Sequence, residues 1–208
     1  MANHPELSST HMDALREISN IGMGNALTSL AQLVNRRINM DVPVATFIPF
    51  EQTVDLIGGS EELVSCVSIR ITGDVPGLVL FVFNWESTLK LVDMLMGQEP
   101  GTTSELDEIG QSAVMEVGNV LTGAFVGAIY SLTALEMKSA VPLLAYDMLG
   151  AVMTSLMVAS GRVEEQVLLI ETRLFQEQAE NNISGHFFML TEPGSIERLF
   201  NALGLSMT

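Results

Sequence analysis

Two short polar sets in this chain have the residue types and spacing to do chemistry. Asp13, Glu17 and Asn20 stand four and three residues apart, and Ser112, Glu116 and Asn119 repeat that spacing. On a helix such offsets bring side chains onto one face, so each set forms a row of an acid or hydroxyl, a carboxylate and an amide. An amide both donates and accepts hydrogen bonds, which lets it hold a water in a chosen orientation. Phosphoryl transfer asks little more of a protein than positioning and charge neutralisation, and an amide can aim the attacking water. A glutamate one turn away can bind a cation on a partner and so register two surfaces. Unpaired burial of a carboxylate is costly, so these faces are expected to meet solvent or a partner.

A lone glutamate on a helix is most simply a solvated surface residue. Here the pair recurs at identical spacing in two segments that otherwise share few residues, and each Asn stands 23 residues before a proline, Pro43 or Pro142. Drift within a duplication preserves a core more readily than a solvated Glu–Asn pair. Other chemistries find no support. The histidines are His4, His11 and His186, with no metal-ligand spacing among them. His11 reads as a surface residue at a helix entry and His186 as a strand residue. No Ser–His–Asp or Cys–His arrangement is evident. The run Asn20–Asn25 carries two glycines but has neither the preceding strand nor the lysine of a phosphate loop.

The elements that must position these rows come in two copies. Residues 13–43 and 112–142 align without a gap at an offset of 99, with seven identities: Ala14/Ala113, Glu17/Glu116, Asn20/Asn119, Gly24/Gly123, Leu33/Leu132, Val42/Val141 and Pro43/Pro142. Leu15, Ile18, Leu27, Leu30, Leu33 and Val34 recur at helical spacing. Ser8, Ser9 and Thr10 offer caps for the first helix, and the second is expected to start near Ser104, with Glu105, Asp107 and Glu108 at its positive end. Gly22, Gly24, Gly118, Gly123 and Gly127 weaken these helices and are expected to serve close backbone packing.

Pro43 and Pro142 read as helix stops and strand openers. Strands are expected near 44–50, 53–58, 63–72 and 77–84, and near 141–147, 151–159, 166–175 and 186–191. Short amphipathic helices near 86–96 and 195–203 close the halves, with Gly97 and Gly204 as caps. The fold expected is α+β, an internally duplicated helix–strands–helix unit with pseudo-twofold symmetry. One mixed or mostly antiparallel sheet would carry two long motif-bearing helices. Residues 1–208 form one domain on this reading, with repeats at about 8–97 and 104–204, joined by the turn-rich stretch 97–104.

Composition narrows the partners. With 9 basic and 25 acidic residues, the formal charge of −16 opposes nucleic-acid binding and anionic membrane surfaces. Apolar residues make up 48 % and charged ones 16 %, which disfavours disorder. Mean hydropathy is +0.36, and Val117–Leu135 carries no charge. Its glycines and hydroxyls, bracketed by Glu116 and Glu136, read as a core helix rather than a membrane span. The N-terminus shows no secretion signal. One cysteine, Cys66, permits no intrachain disulfide and reads as a small core residue. A cytoplasmic location is expected.

At these residues the chain resembles the CheC family of chemotaxis phosphatases. The family signature is Asp or Ser, three residues, Glu, two residues, Asn, 22 residues and Pro. It stands here as Asp13–Glu17–Asn20–Pro43 and as Ser112–Glu116–Asn119–Pro142. Two copies in about 200 residues look like CheC proper rather than the single-motif, dimeric CheX type. The flagellar-switch relatives carry further segments for which this chain has no room.

The resemblance implies dephosphorylation of the phosphorylated response regulator CheY. Asn20 and Asn119 would orient water, and Glu17 and Glu116 would pair with the regulator's lysine. Asp13 and Ser112 would support docking. It implies no cofactor of the chain's own, with Mg²⁺ on the partner; the internal duplication reduces the need for an external dimer, so a monomer is expected. It also implies binding of the deamidase CheD near Asp147, in the stretch Tyr146–Ala151. A plain turn between two strands would account for Asp147 equally well. The competing reading is a non-catalytic adaptor that binds CheD or a flagellar or chemotaxis regulator. A small-molecule binder has no convergent set of polar residues behind it.

Overall fold

The structure, a computed structural model, describes residues 8–34, 38–50, 52–160, 166–176 and 182–206. The first half runs α1 (Ser9–Val34), β1 (Ile38–Pro49), α2 (Gln52–Ile57), β2 (Leu63–Gly73), β3 (Gly77–Asn84) and α3 (Trp85–Met96). The second runs α4 (Glu108–Thr133), β4 (Met137–Ser139), β5 (Leu143–Met148), α5 (Leu149–Ser160), β6 (Gln166–Gln176), β7 (Asn182–Thr191) and α6 (Ser195–Ala202). Both long helices have 26 residues.

Among the described residues seven strands form one sheet in the order β1-β6-β7-β3-β2, with β4 and β5 both pairing the outer side of β2. Every pairing is antiparallel. The order reads the same from either end once the halves are exchanged. The last strands of the two halves, β3 and β7, meet at the centre, and, with β4 and β5 taken as one interrupted strand, the first strand of each half lies beside the second strand of the other. The Phe81 and Phe187 rings meet near this axis, 5.0 Å apart and edge-on.

Alternation along the strands gives the sheet two apolar faces. Val67, Ile69, Val79, Phe81, Phe83, Phe187 and Met189 lie under α1, α3, α4 and α6. Val64, Cys66, Leu80, Val82, Phe188 and Leu190 face the opposite side, where Val54 and Ile57 of α2 and Val152, Met153, Leu156 and Met157 of α5 cover them. The strands expected at 53–58 and 151–159 are therefore helices. A short apolar run fits a strand or a buried helix equally well by periodicity, and the second sheet face needed a cover that only helices here supply.

The prolines mark breaks in the outer strands. β1 already begins at Ile38 and shifts register between Asp41 and Val44, around Pro43. Pro142 falls in the gap between β4 and β5. A residue without an N–H cannot continue a ladder, so the strand bulges at one site and splits at the other.

Caps fix the helix ends. Asp107 accepts the Gly110 N–H at 2.7 Å, so α4 starts four residues later than the sequence suggests. Gly97 closes α3 in the left-handed conformation, φ 67°. Ser8 and His11 bond reciprocally at the start of α1: Ser8 N–H donates to His11 Nδ1 (3.0 Å) and His11 N–H to Ser8 Oγ (3.4 Å). The His11 ring lies 4.5 Å from Phe200 and is buried, contrary to the surface position expected. The cover comes from α6, distant in sequence.

The joint between the halves is held by a buried acid. Asp93, 2 % exposed on α3, accepts the N–H groups of Gly101 (2.7 Å), Thr102 (3.2 Å) and Thr103 (2.8 Å). Asp93→Ala is expected to destabilise the fold by about 2 kcal/mol, since three donors lose their acceptor. Urea midpoints would show it, and an unchanged midpoint would mean water replaces the carboxyl.

Burial on β2 pushes the Cys66 thiol up from 9.0 to about 12. The unfolded thiol ionises first, so stability tied to this group is intact below about pH 9 and is lost as pH rises toward 12. Cys66 is expected to ignore Ellman's reagent at about pH 8 until denaturant is added. Prompt labelling of the native protein would contradict its burial.

Candidate functional site on the two long helices

Each motif row lies on the outer side of its helix. On α1 the residues Leu15, Ile18, Ser19 and Gly22 turn toward the core, while Asp13, Glu17 and Asn20 are exposed. On α4 Val114, Val117, Gly118 and Leu121 turn inward, and Ser112, Glu116 and Asn119 are exposed. The helical period, locked by the buried side, dictates this orientation.

Among the described residues nothing bonds the side chains of Glu17, Asn20, Glu116 or Asn119, so two carboxylates and two amides stand ready for an external group. The first member of each row is engaged locally. Asp13 pairs with Arg16 on its own helix (3.2 Å), and Ser112 Oγ donates to the Glu108 carbonyl (2.9 Å). The Asp13–Arg16 pair is exposed on both sides and adds little stability.

The mount behind these rows is stiff. α1 and α4 pack directly on each other and on the sheet. A Cβ added at Gly22 would come within 3.2 Å of the Phe125 Cα on α4, and one at Gly118 within 2.6 Å of Val67 Cγ1 on β2. These two glycines serve the close packing expected of them. Gly24, Gly123 and Gly127 do not: a Cβ at any of them would meet nothing within 4 Å, and all three are exposed. The packing role assigned to them from the sequence is thus corrected, because they face outward on the side of the motifs.

The remaining predicted positions lie elsewhere. Pro43 is in β1, and its side chain lies outside the described residues; Pro142, half-buried, precedes β5. Neither is on a helix face with the Glu and Asn residues. Asp147 is exposed near the end of β5, where its Oδ1 accepts the Met148 N–H at 2.7 Å. The turn between two strands considered for it is instead a strand-to-helix junction, since α5 follows at Leu149. Tyr146, Met148 and Leu143 beside it are 50 %, 54 % and 68 % exposed. Tyr130, 55 % exposed, lies seven residues beyond Gly123 on the outward side of α4.

α4 is the one described helix long and apolar enough to cross a membrane. Its inner side, from Val114 through Leu121 to Ile129, is packed in the main core.

Comparison with known proteins covers both halves. The model of the CheC-like family matches residues 11–46, and that of chemotaxis phosphatase CheX matches residues 65–160, so each motif falls within a matched segment. The CheY-P phosphatase CheC of Bacillus subtilis (strain 168) is 34 % identical over 198 residues, 94 % of this chain and 95 % of that protein. The flagellar motor switch phosphatase FliY of the same organism is 29 % identical over 120 residues, 57 % of this chain and 31 % of FliY. The crystal structure of Thermotoga maritima FliY superposes with a TM-score of 0.79 at 22 % identity, covering 95 % of this chain and 98 % of that one, and so shares the fold. Identity sustained from end to end, over a chain whose two halves each carry the motif on an outward helix face, places it: the chain belongs to the CheC family.

Proposed function

We propose that this chain hydrolyses the aspartyl phosphate of a phosphorylated CheY-type chemotaxis regulator, at two sites. One observation carries the reading: two exposed Glu–Asn pairs with no side-chain partner among the described residues, Glu17/Asn20 and Glu116/Asn119, stand on packed helices in a chain 34 % identical to a protein named for CheY-P dephosphorylation. Asn20 and Asn119 each hold a water in line with the phosphorus. The water oxygen bonds to phosphorus as the bond to the aspartyl oxygen breaks, releasing inorganic phosphate and restoring the carboxylate. Glu17 and Glu116 each pair with a lysine of the regulator beside the phosphoryl group, which fixes orientation. Asp13 and Ser112 support the helix start near the docked partner. Pro43 and Pro142 shape the outer strands on which α1 and α4 rest. Mg²⁺ belongs to the regulator, and this chain brings no cofactor.

A second partner fits the far edge of the sheet. Exposure of Tyr146, Asp147 and Met148 on β5 favours a docking surface there, and a CheD-type deamidase is the occupant we propose. Sheet pairing between the halves takes the place of a dimer, so a monomer in the cytoplasm goes with this reading.

The deciding experiment follows the decay of ³²P-labelled CheY with and without this protein, and again with CheD added. Faster phosphate release supports the phosphatase. Binding of either partner with unaltered decay would instead establish the adaptor.

A further inference from the structure

Within the two long helices, no packed glycine has a glycine counterpart in the other copy, and of the three that meet nothing, Gly24, Gly123 and Gly127, only Gly24 and Gly123 are counterparts of each other. Gly22 and Gly118 are pressed against Phe125 and Val67, yet their counterparts at the offset of 99 are Leu121 and Ser19. Gly127, in open space, corresponds to Thr28. Gly24 corresponds to Gly123. At both positions an added Cβ meets nothing within 4 Å, and neither residue is among those with positive φ, so neither sterics nor backbone conformation calls for glycine. Glycine inside an exposed helix is nevertheless the least favourable ordinary residue. A feature that weakens two helices, serves no contact in the fold and recurs in both copies points outward.

Its place explains the use. Gly24 and Gly123 stand four residues after Asn20 and Asn119, one turn on along the same outward row. Each row therefore steps down in side-chain length, from Glu through Asn to a bare turn. An asparagine amide reaches only a short way beyond its helix. A phosphoryl group buried among the partner's loops can meet that amide only if the partner's main chain comes down onto the helix backbone beside it. A methyl group at that point would hold the two surfaces apart by on the order of 1 Å, which a reaction needing near-attack geometry tolerates poorly.

We infer that Gly24 and Gly123 are specificity-determining positions of the phosphatase sites, bare helix turns on which the main chain of the phosphorylated regulator seats. The inference rests on the function proposed above and deepens it. The test makes Gly24→Ala/Gly123→Ala and the bulkier Gly24→Leu/Gly123→Leu in the full chain. Three quantities are read: the thermal midpoint, kcat/KM for the phosphorylated regulator, and calorimetric binding of regulator charged with beryllofluoride as the phosphoryl mimic. The expected result is opposed signs. The midpoint rises by a few degrees as helix propensity improves, while kcat/KM and affinity fall at least about tenfold for Ala and further for Leu. A purely structural role moves stability and function together. A raised midpoint with unchanged kcat/KM and affinity overturns the inference, and so does a lowered midpoint. If the parent protein binds the charged regulator without hydrolysing it, the catalytic reading falls and the affinities alone decide the glycines. If the parent does not bind it, both are overturned.

Discussion

The Asn20→Ala/Asn119→Ala double variant is expected to lose the acceleration of regulator dephosphorylation by about 10²-fold or more while folding like the parent. The magnitude follows from removing a group that acts on the reacting water itself. The retained fold follows from exposure: both amides face solvent and bond nothing among the described residues, and changes at such surface positions usually stay within about ±0.5 kcal/mol. Phosphate release measured beside the thermal midpoint separates these two effects. Each single variant reports the share of its own site, because the intact copy continues to turn over. A double variant as active as the parent would remove the amides from the mechanism, and the phosphatase reading would then need another group to position the water.

Phe125→Ala should give the largest loss of stability, about 3–5 kcal/mol. The side chain is 1 % exposed, its ring lies 4.8 Å from that of Phe187, and its Cα sits where α1 approaches at Gly22. It thus joins both motif helices to the centre of the sheet. Total stabilities of domains this size are on the order of 5–15 kcal/mol, so the variant would be marginally stable. Urea unfolding would read the loss directly. Activity from both sites should decline together as the folded fraction falls, since α1 and α4 lean on one contact. A loss below about 1 kcal/mol would mean that the interface collapses into the vacated space.

Much of the candidate site could be read from spacing, because the rule involved is local. Offsets of three and four residues put Asp13, Glu17 and Asn20 on one helix face whatever the helix packs against, and the second copy repeats the arithmetic. The gapless offset of 99 likewise exposed the duplication, and with it the expectation of a symmetric sheet. Misreadings arose where the outcome depends on a distant neighbour. Residues 53–58 and 151–159 are apolar enough for a strand, and they became helices because the sheet's second face needed a cover. His11 reads as a surface residue from its helix-entry position, yet the Phe200 ring of α6 closes over it.

The sequence by itself determined the two long amphipathic helices, the face on which each motif sits, the pairing of the halves and the acidic character that shuts out polyanions. These follow from helical period, identity between copies and net charge, none of which needs a third dimension. Only the tertiary structure decided which way those faces turn, which glycines of the two long helices are packed and which are bare, and that helices cover both sides of the sheet. Each of these is a question of what lies against an element, and burial is a property of neighbours that chain order does not specify.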